Sequence, residues 1–278
     1  MGRIGFNRNG FAYVLPLAVV MLVAFNVPVL LMMRISVAPS WTLANYLHLI
    51  QEEAYLKVLL NTFKVAAITT VCSALIGYPV AYWMTRLSPT GRLVAIAFVV
   101  IPFWVSVLVR SYAWIVLLGN AGILNRALLS LAVIDQPIGL MYNELGVIIG
   151  MTNILIPFIV LPLYAAMTRL DRRLLQAAAT LGGSNFQTFW LVFFPLTRPA
   201  LAASALLVFI SAIGFYITPA LLGGGRVSMI ANVLDILINQ LPRWGLAAAI
   251  STVLLAASVA LYALYRRAAA HSGMWGMS

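Results

Sequence analysis

The sequence predicts an all-α protein that crosses a lipid bilayer six times, and three observations lead there. Of its 278 residues, 63% are hydrophobic and only 8% charged, where a soluble domain carries about a quarter charged residues. Crossing a hydrocarbon core of roughly 30 Å takes about 20 apolar residues, and six runs of that kind occur: Phe11–Met33, Asn61–Trp83, Leu93–Leu118, Leu145–Met167, Ala200–Leu222 and Leu246–Tyr265. The net charge of +11 is unevenly placed, with arginines gathered in alternate connections between the runs, as the positional rule for membrane loops requires. The chain therefore reads as one transmembrane domain over residues 1–278, with core spans at about 61–265.

The first run follows Arg3 and Arg8, as a secretory signal would. Its apolar stretch is too long for one and no small-residue cleavage site follows cleanly, so we expect a retained helix. With the N-terminus inside, the inner side holds Arg3 and Arg8, Arg86 and Arg92, the set from Arg169 to Arg198, and Arg266 and Arg267. The outer side holds Lys57, Arg126, Arg226 and Arg243, balanced by Glu52, Glu53, Asp135, Glu144 and Asp235. Both termini are then cytoplasmic, and the loop 169–199 faces the cytoplasm.

Two outer connections exceed simple turns. Gly119–Glu144 carries a short apolar helix candidate ending before Pro137. In Gly223–Gly245, Ile230, Val233, Leu234, Leu237 and Leu241 recur at helical spacing, which fits either a packed loop helix or one lying along the outer surface. Breakers recur inside the spans: Gly77 with Pro79, Pro102, Pro157 with Pro162, and Gly214 with Pro219. Such kinks persist in a membrane where protein or water meets the freed carbonyls, which suits a bundle around a pathway. No internal repeat or low-complexity linker is evident.

The absent chemistry narrows the function. No phosphate loop of the G-x-x-x-x-G-K-[ST] kind occurs, and the lysines are Lys57 and Lys64 alone, so this chain does not hydrolyse ATP by that route. His48 and His271 lack partners at metal-ligand spacing, and Cys72 stands alone in an apolar run. We expect no metal and no catalytic residue. The six runs contain no Asp or Glu, whereas ion-coupled carriers use ionisable groups near the midplane. Lys64, one turn inside the second run, reads as a residue snorkelling to the interface.

The loop 169–199 holds the most legible local structure. Asp171 is placed to cap a helix over "RRLLQAAATL", rich in strong helix formers. Gly182 is placed to end it with a left-handed residue. Ser184 offers a second N-cap, and Gln187 three residues on completes a capping box. The expected product is helix, sharp bend and second helix leading to Pro195, a knob whose Ala177, Ala178 and Ala179 admit a partner closely.

This stretch resembles binding-protein-dependent ABC importer permeases of the spermidine/putrescine branch. Their signature pattern, E-A-A, then G, then I-x-L-P, falls on Gln176-Ala177-Ala178, Gly182, Val192, Phe194 and Pro195, with Gln for Glu, Val for Ile and Phe for Leu. The stretches "LIGYPVAYWMTRL", "IPFWVSVLVRSYAW", "GILNRALL", "ILIPFIVLPLYAAMTRLD" and "TPALLGGGRVSMIANVLD" are similar as well. The resemblance implies a type I ABC importer permease fold and a non-catalytic subunit of the bacterial inner membrane. It implies as partners a second homologous permease, two cytoplasmic ATP-binding subunits that bind the ATP, and a periplasmic solute-binding protein. Gln176, Ala177, Ala178, Gly182, Ser184 and Pro195 would form the coupling helix that docks on the ATPase.

For the solute the resemblance implies a small nitrogenous molecule, a polyamine first, with opines and aminophosphonates among the alternatives. Aromatic faces and carboxylates suit a polycation, which nominates Trp104, Tyr112, Tyr216 and Asp235 for the pathway. Trp114 and Glu144 are further groups of the same kinds. Arg110 is ambiguous. Facing the pathway it would favour a carboxylate or phosphonate; bonded to carbonyls it would say nothing of the solute.

Overall fold

A computed structural model describes residues 8–38 and 41–271. Arg3 lies outside them, and the side chains of Arg8, Arg172 and His271 do too. Among the described residues the regular structure is helical, in the order α1 (Arg8–Val37), α2 (Ala44–Gln51), α3 (Glu53–Met84), α4 (Pro89–Trp104), α5 (Val107–Leu118), α6 (Ile123–Ser130), α7 (Glu144–Thr168), α8 (Arg172–Thr180), α9 (Asn185–Thr188), α10 (Phe194–Ile213), α11 (Ile217–Gly223), α12 (Ile230–Asp235) and α13 (Trp244–His271). Wide π turns at Phe189–Phe193 and Ile236–Gln240 follow α9 and α12. The two short helices expected in the long connections are present as α6 and α12.

Six helical stretches are long and apolar enough to cross a membrane: Leu15–Val37, Glu53–Met84, Val107–Ser130, Glu144–Thr168, Asn185–Ile213 and Trp244–Arg267. Two of the expected spans are corrected. The third, Leu93–Leu118, is not one helix. Pro102 removes the N–H that would close a turn on the Phe98 carbonyl, Val105 is extended, and Ser106 starts α5 by accepting a hydrogen bond from the Leu108 N–H at 3.3 Å. The fifth, Ala200–Leu222, begins earlier, at Asn185, and stops at Gly214. Pro219 has no N–H for the Phe215 carbonyl, so the chain restarts at Ile217 with the proline in the first turn of α11.

The chain forms two compact units. The first joins the stretch up to Leu56 with Leu234–Ala257. In it the end of α1 is tied to α2: Ser36 Oγ and Tyr46 Oη lie 2.8 Å apart, and Asn45 Nδ2 donates to the Ser36 carbonyl at 2.8 Å. The apolar surface of Leu15–Val37 is left open on all sides, as a helix bathed in lipid tolerates.

The second unit joins Lys57–Val233 with the stretch from Ser258 onward, and α7 is its centre. Val147, Met151, Leu155, Ile159, Val160 and Leu163 are buried, and α10, α11, α5 and α4 pack around them. The buried stripe of α3 is made mostly of small residues (Thr62, Ala66, Thr69, Thr70, Ser73, Gly77, Ala81). Small side chains let membrane helices approach closely. Gly77 lies so near α7 that a Cβ there would stand 2.7 Å from Ile159 Cγ2. Thr62 Oγ1 accepts a hydrogen bond from the Ile230 N–H at 2.9 Å, fixing the start of α12.

Lys64 is corrected as well. Its Nζ does not run free to the interface but pairs with Glu144 Oε2 at 2.6 Å, linking α3 to the first turn of α7. Eighty residues separate the partners, so sequence proximity gave no sign of the pair.

A second close approach on α7 lies at Gly150. A Cβ at Gly150 of α7 would stand 2.4 Å from Leu222 Cδ1 and 2.8 Å from Thr218 Cγ2 of α11. Gly150→Val should overpack this seam and cost about 1–3 kcal/mol. Gly139→Ala, where a Cβ meets nothing within 4 Å, should be neutral. Thermal unfolding of the detergent-purified protein reads both, and equal midpoints would show that α11 is not held against α7 in this way.

Candidate functional site in the loop between α7 and α10

The loop is built as its residue types demand. Asp171 Oδ1 accepts a hydrogen bond from the Arg173 N–H at 2.9 Å and so opens α8. At the far end the N–H groups of Gly182 and Gly183 donate to the carbonyls of Ala179 and Ala178, each at 3.0 Å. That closure requires Gly182 at φ +83°, where a side chain is strained. Ser184 then starts α9 with a complete capping box. Its Oγ accepts from the Gln187 N–H at 3.3 Å, and its own N–H donates to Gln187 Oε1 at 2.9 Å.

Two features differ from expectation. Pro195 does not end the second helix, which runs through it from Asn185 to Ile213. The π turn at Phe189–Phe193 lies directly upstream, and its wider winding makes room where the proline ring would crowd the Leu191 carbonyl. Nor do the three alanines form one face. Leu175, Gln176 and Ala179 line a cavity of about 820 Å³ behind α8, while Ala177, one helical step of 100° away from Gln176, stays exposed on another side.

An aromatic clamp seats this bent loop on α3. Tyr82 meets Phe189 and Phe193 edge-on, at ring-centre distances of 5.2 and 5.0 Å. Tyr78 meets Phe194 at 5.6 Å, and its hydroxyl lies 2.7 Å from Thr197 Oγ1. Edge-to-face pairs of this kind add stability beyond their buried area, so they hold the π turn and the start of α10 against the end of α3. Sequence reasoning passed over these residues, although Tyr78 with Tyr82 and Phe189 with Phe193 stand four apart. It also passed over Leu181 and Phe186, which are 89% and 73% exposed at the tip of the knob.

The nominated pathway residues lie on several elements: Trp104 ends α4, Arg110 and Tyr112 lie on α5, Tyr216 directly precedes α11 and Asp235 ends α12. Trp104, 88% exposed at the end of α4, and exposed Tyr112 of α5 flank the break at Val105–Ser106. Arg110 has its Nε buried with no hydrogen-bond partner among the described residues. The Tyr216 carbonyl accepts from Asn232 Nδ2 at 3.2 Å. None of these four lines the cavity behind α8. Asp235 belongs to the first unit, where its Oδ1 accepts from Asn239 Nδ2 at 2.7 Å. Trp114 Nε1 donates to Asn153 Oδ1 at 3.4 Å, joining α5 to α7. Among the described residues no three His, Cys, Asp or Glu side chains are grouped to hold a metal ion.

No protein-family model matches the chain. Curated relatives do. The chain is 39% identical to the spermidine/putrescine transport system permease protein PotB of Haemophilus influenzae, over 80% of its own length and 78% of the relative's. It is 37% identical to PotB of Escherichia coli, over 82% of each chain. An inner membrane ABC transporter permease protein of Escherichia coli, YdcU, matches at 35% identity over 68% of this chain and 64% of that one. The fold matches a subunit of a solved bacterial ABC transporter that imports the acidic polysaccharide alginate, with a TM-score of 0.72, 17% identity and coverage of 92% and 94%. On these relatives and this six-helix fold, the chain belongs to the family of ABC importer permeases that contains the PotB subunits, as a non-catalytic, multi-pass subunit of the inner membrane.

Proposed function

We propose that this chain forms the pathway of a polyamine importer, that its N- and C-termini are cytoplasmic, and that the α8–α9 loop docks on an ATP-binding subunit. The identity of 37–39% with PotB proteins over about four-fifths of the chain carries the substrate reading. Two such ATP-binding subunits, a second permease and a periplasmic solute-binding protein complete the scheme, in which the partner subunits bind the ATP.

The charges support the orientation. Ten of the seventeen cations flank the ends assigned to the cytoplasm, against Arg34, Lys57, Arg126, Arg226 and Arg243 on the other side, where five of the six acids also lie. Asp171, the one remaining acid, is spent on capping α8. The coupling role rests on the shape of the loop: a short helix, stiffened at both ends by caps and clamped to α3, with Leu181 and Phe186 open at the tip. Apolar side chains exposed in a cytoplasmic loop mark a surface that a partner covers.

A second reading, import of an aminophosphonate, has one observation in its favour. The buried Nε of Arg110 has no hydrogen-bond partner among the described residues, and a phosphonate or carboxylate would supply one. A transport system permease, PhnU of Salmonella choleraesuis, put forward for 2-aminoethylphosphonate, shares 27% identity over 84% of the chain.

Uptake decides between the readings. Cells lacking their own polyamine permease, given this chain with the subunits encoded beside it, should accumulate labelled spermidine or putrescine. Excess 2-aminoethylphosphonate should not compete. Competition by the phosphonate, abolished in Arg110→Ala, would establish the second reading instead.

Labelling tests the orientation. Single cysteines at Ser88 and Ser184 should resist an impermeant thiol reagent in intact cells, and one at Ser130 should react. The opposite pattern would invert the topology and remove the loop from the ATPase side.

Coupling is tested at the bend. Gly182→Val forces a β-branched residue into the left-handed region, at a cost of about 1–2 kcal/mol, and should misdirect α8. Ala178→Asp and Leu181→Asp place a charge in a close contact. All three complexes should assemble as membrane pairs yet lose receptor-stimulated ATP hydrolysis by tenfold or more. Normal stimulation in all three would show that the ATPase docks elsewhere.

A further inference from the structure

The cavity behind α8 is not accounted for by docking on the loop's outer face. Its volume is about 820 Å³, and Arg86 and Arg92 line it together with the polar side chains of Thr85, Thr168, Asn185 and Thr188. None of its lining residues is Asp or Glu. Asp171, the acid nearest in sequence, accepts from the Arg173 N–H instead.

Both guanidinium groups are set for an anion. Arg86 lies over the Tyr82 ring at 4.4 Å and hydrogen-bonds the Tyr82 hydroxyl, so it is held in place without its charge being neutralised. Arg92 has its Nε buried with no hydrogen-bond partner among the described residues. A buried charged donor left unmatched is costly, and a phosphate-type oxygen is the acceptor whose geometry suits two guanidinium groups.

The depth of the site identifies the source of that phosphate. Three apolar helices end or begin there: α3 ends at Met84, α4 starts at Pro89 and α7 ends at Thr168. That boundary is the level of lipid headgroups. On the same two helices, α3 and α4, a second cavity of about 320 Å³ is lined by Val80, Trp83, Val94 and Phe98 among other apolar residues. It offers hydrocarbon surroundings within a few residues of both arginines.

We propose that this cavity binds the phosphate-bearing headgroup of an anionic phospholipid, with an acyl chain along the apolar groove between α3 and α4. Basic pockets between membrane helices hold such headgroups through charge and hydrogen bonds together. Because Leu175, Gln176 and Ala179 of α8 form one wall, an occupied cavity braces the coupling helix from behind, and lipid composition then sets the efficiency of coupling. The inference depends on the proposed orientation for the choice of leaflet, and on no assignment of solute.

The assembled complex is purified in detergent with equal phosphatidylglycerol and phosphatidylcholine, and retained lipid is counted by native mass spectrometry. Phosphatidylglycerol should be retained preferentially. R92Q and R86Q should each lower that retention about fivefold, the factor corresponding to one basic side chain near a membrane surface, and R92K should restore part of it. R86Q, at an exposed guanidinium, is the informative variant where R92Q fails to assemble. Nanodiscs of phosphatidylcholine doped with phosphatidylglycerol should show a saturable rise in receptor-stimulated hydrolysis that R86Q removes. Equal retention of the two lipids, or retention indifferent to both arginines, overturns the proposal. So does arginine-dependent binding of inorganic phosphate alone at millimolar concentration, with no lipid retained. Lipid counting needs no transported solute, so a failed polyamine assay leaves this result standing.

Discussion

Close backbone approach is the constraint on which the second unit depends. Helices surrounded by lipid gain nothing by hiding apolar side chains from one another, because the lipid is as apolar as they are. What holds them is contact at short range, and α7 obtains it where Gly150 meets Leu222 and Thr218, and where Gly77 of α3 meets Ile159. The threonines and serines on the α3 stripe serve the same end. Thr62 and Thr70 hydroxyls return to carbonyls of their own helix, so these two side chains cost little and leave the helix slim. The knob at the end of α7 inherits its position from this packing, through the Tyr78–Thr197 contact and the rings around Tyr82.

The local grammar of the loop was readable in advance because each signal acts within four residues. Asp171 before a Leu/Ala run, Gly182 after it, and Ser184 with Gln187 each have one economical conformation, and the structure adopts all three. The count of six apolar spans was equally legible, since it depends on composition alone. The two misplaced spans show where composition stops being enough. An apolar run does not reveal whether a proline and a serine inside it will break the helix, as at Pro102 and Ser106, or whether a proline will be absorbed, as at Pro157 and Pro162 of α7. Those outcomes depend on neighbours brought in from elsewhere in the chain.

The nominated solute contacts were the least legible part, for a similar reason. Aromatic residues are common in membrane helices, and Trp104, Tyr112 and Tyr216 carry no mark of which direction they face. The cavity lined by Arg86, Arg92 and Gln176 was invisible for another reason: its residues come from α3 and the turn after it, α4, α7, α8, α9 and the π turn that follows. Gln176 stands at the first position of the motif. It belongs to the cavity wall, so whatever occupies that space touches α8 directly.

The Lys64–Glu144 pair also bears on how the protein is made. The lysine leaves the ribosome eighty residues ahead of its carboxylate. At a synthesis rate of roughly 5–20 residues per second, that interval is on the order of 4–16 s. During it α3 must hold a cation near the membrane boundary with no counter-charge, and the long alkyl stem of lysine lets the ammonium reach water meanwhile. Arrival of α7 then adds a 2.6 Å contact with Glu144 to a side chain that stays half exposed. The pair can therefore form only after both α3 and the first turn of α7 have been made.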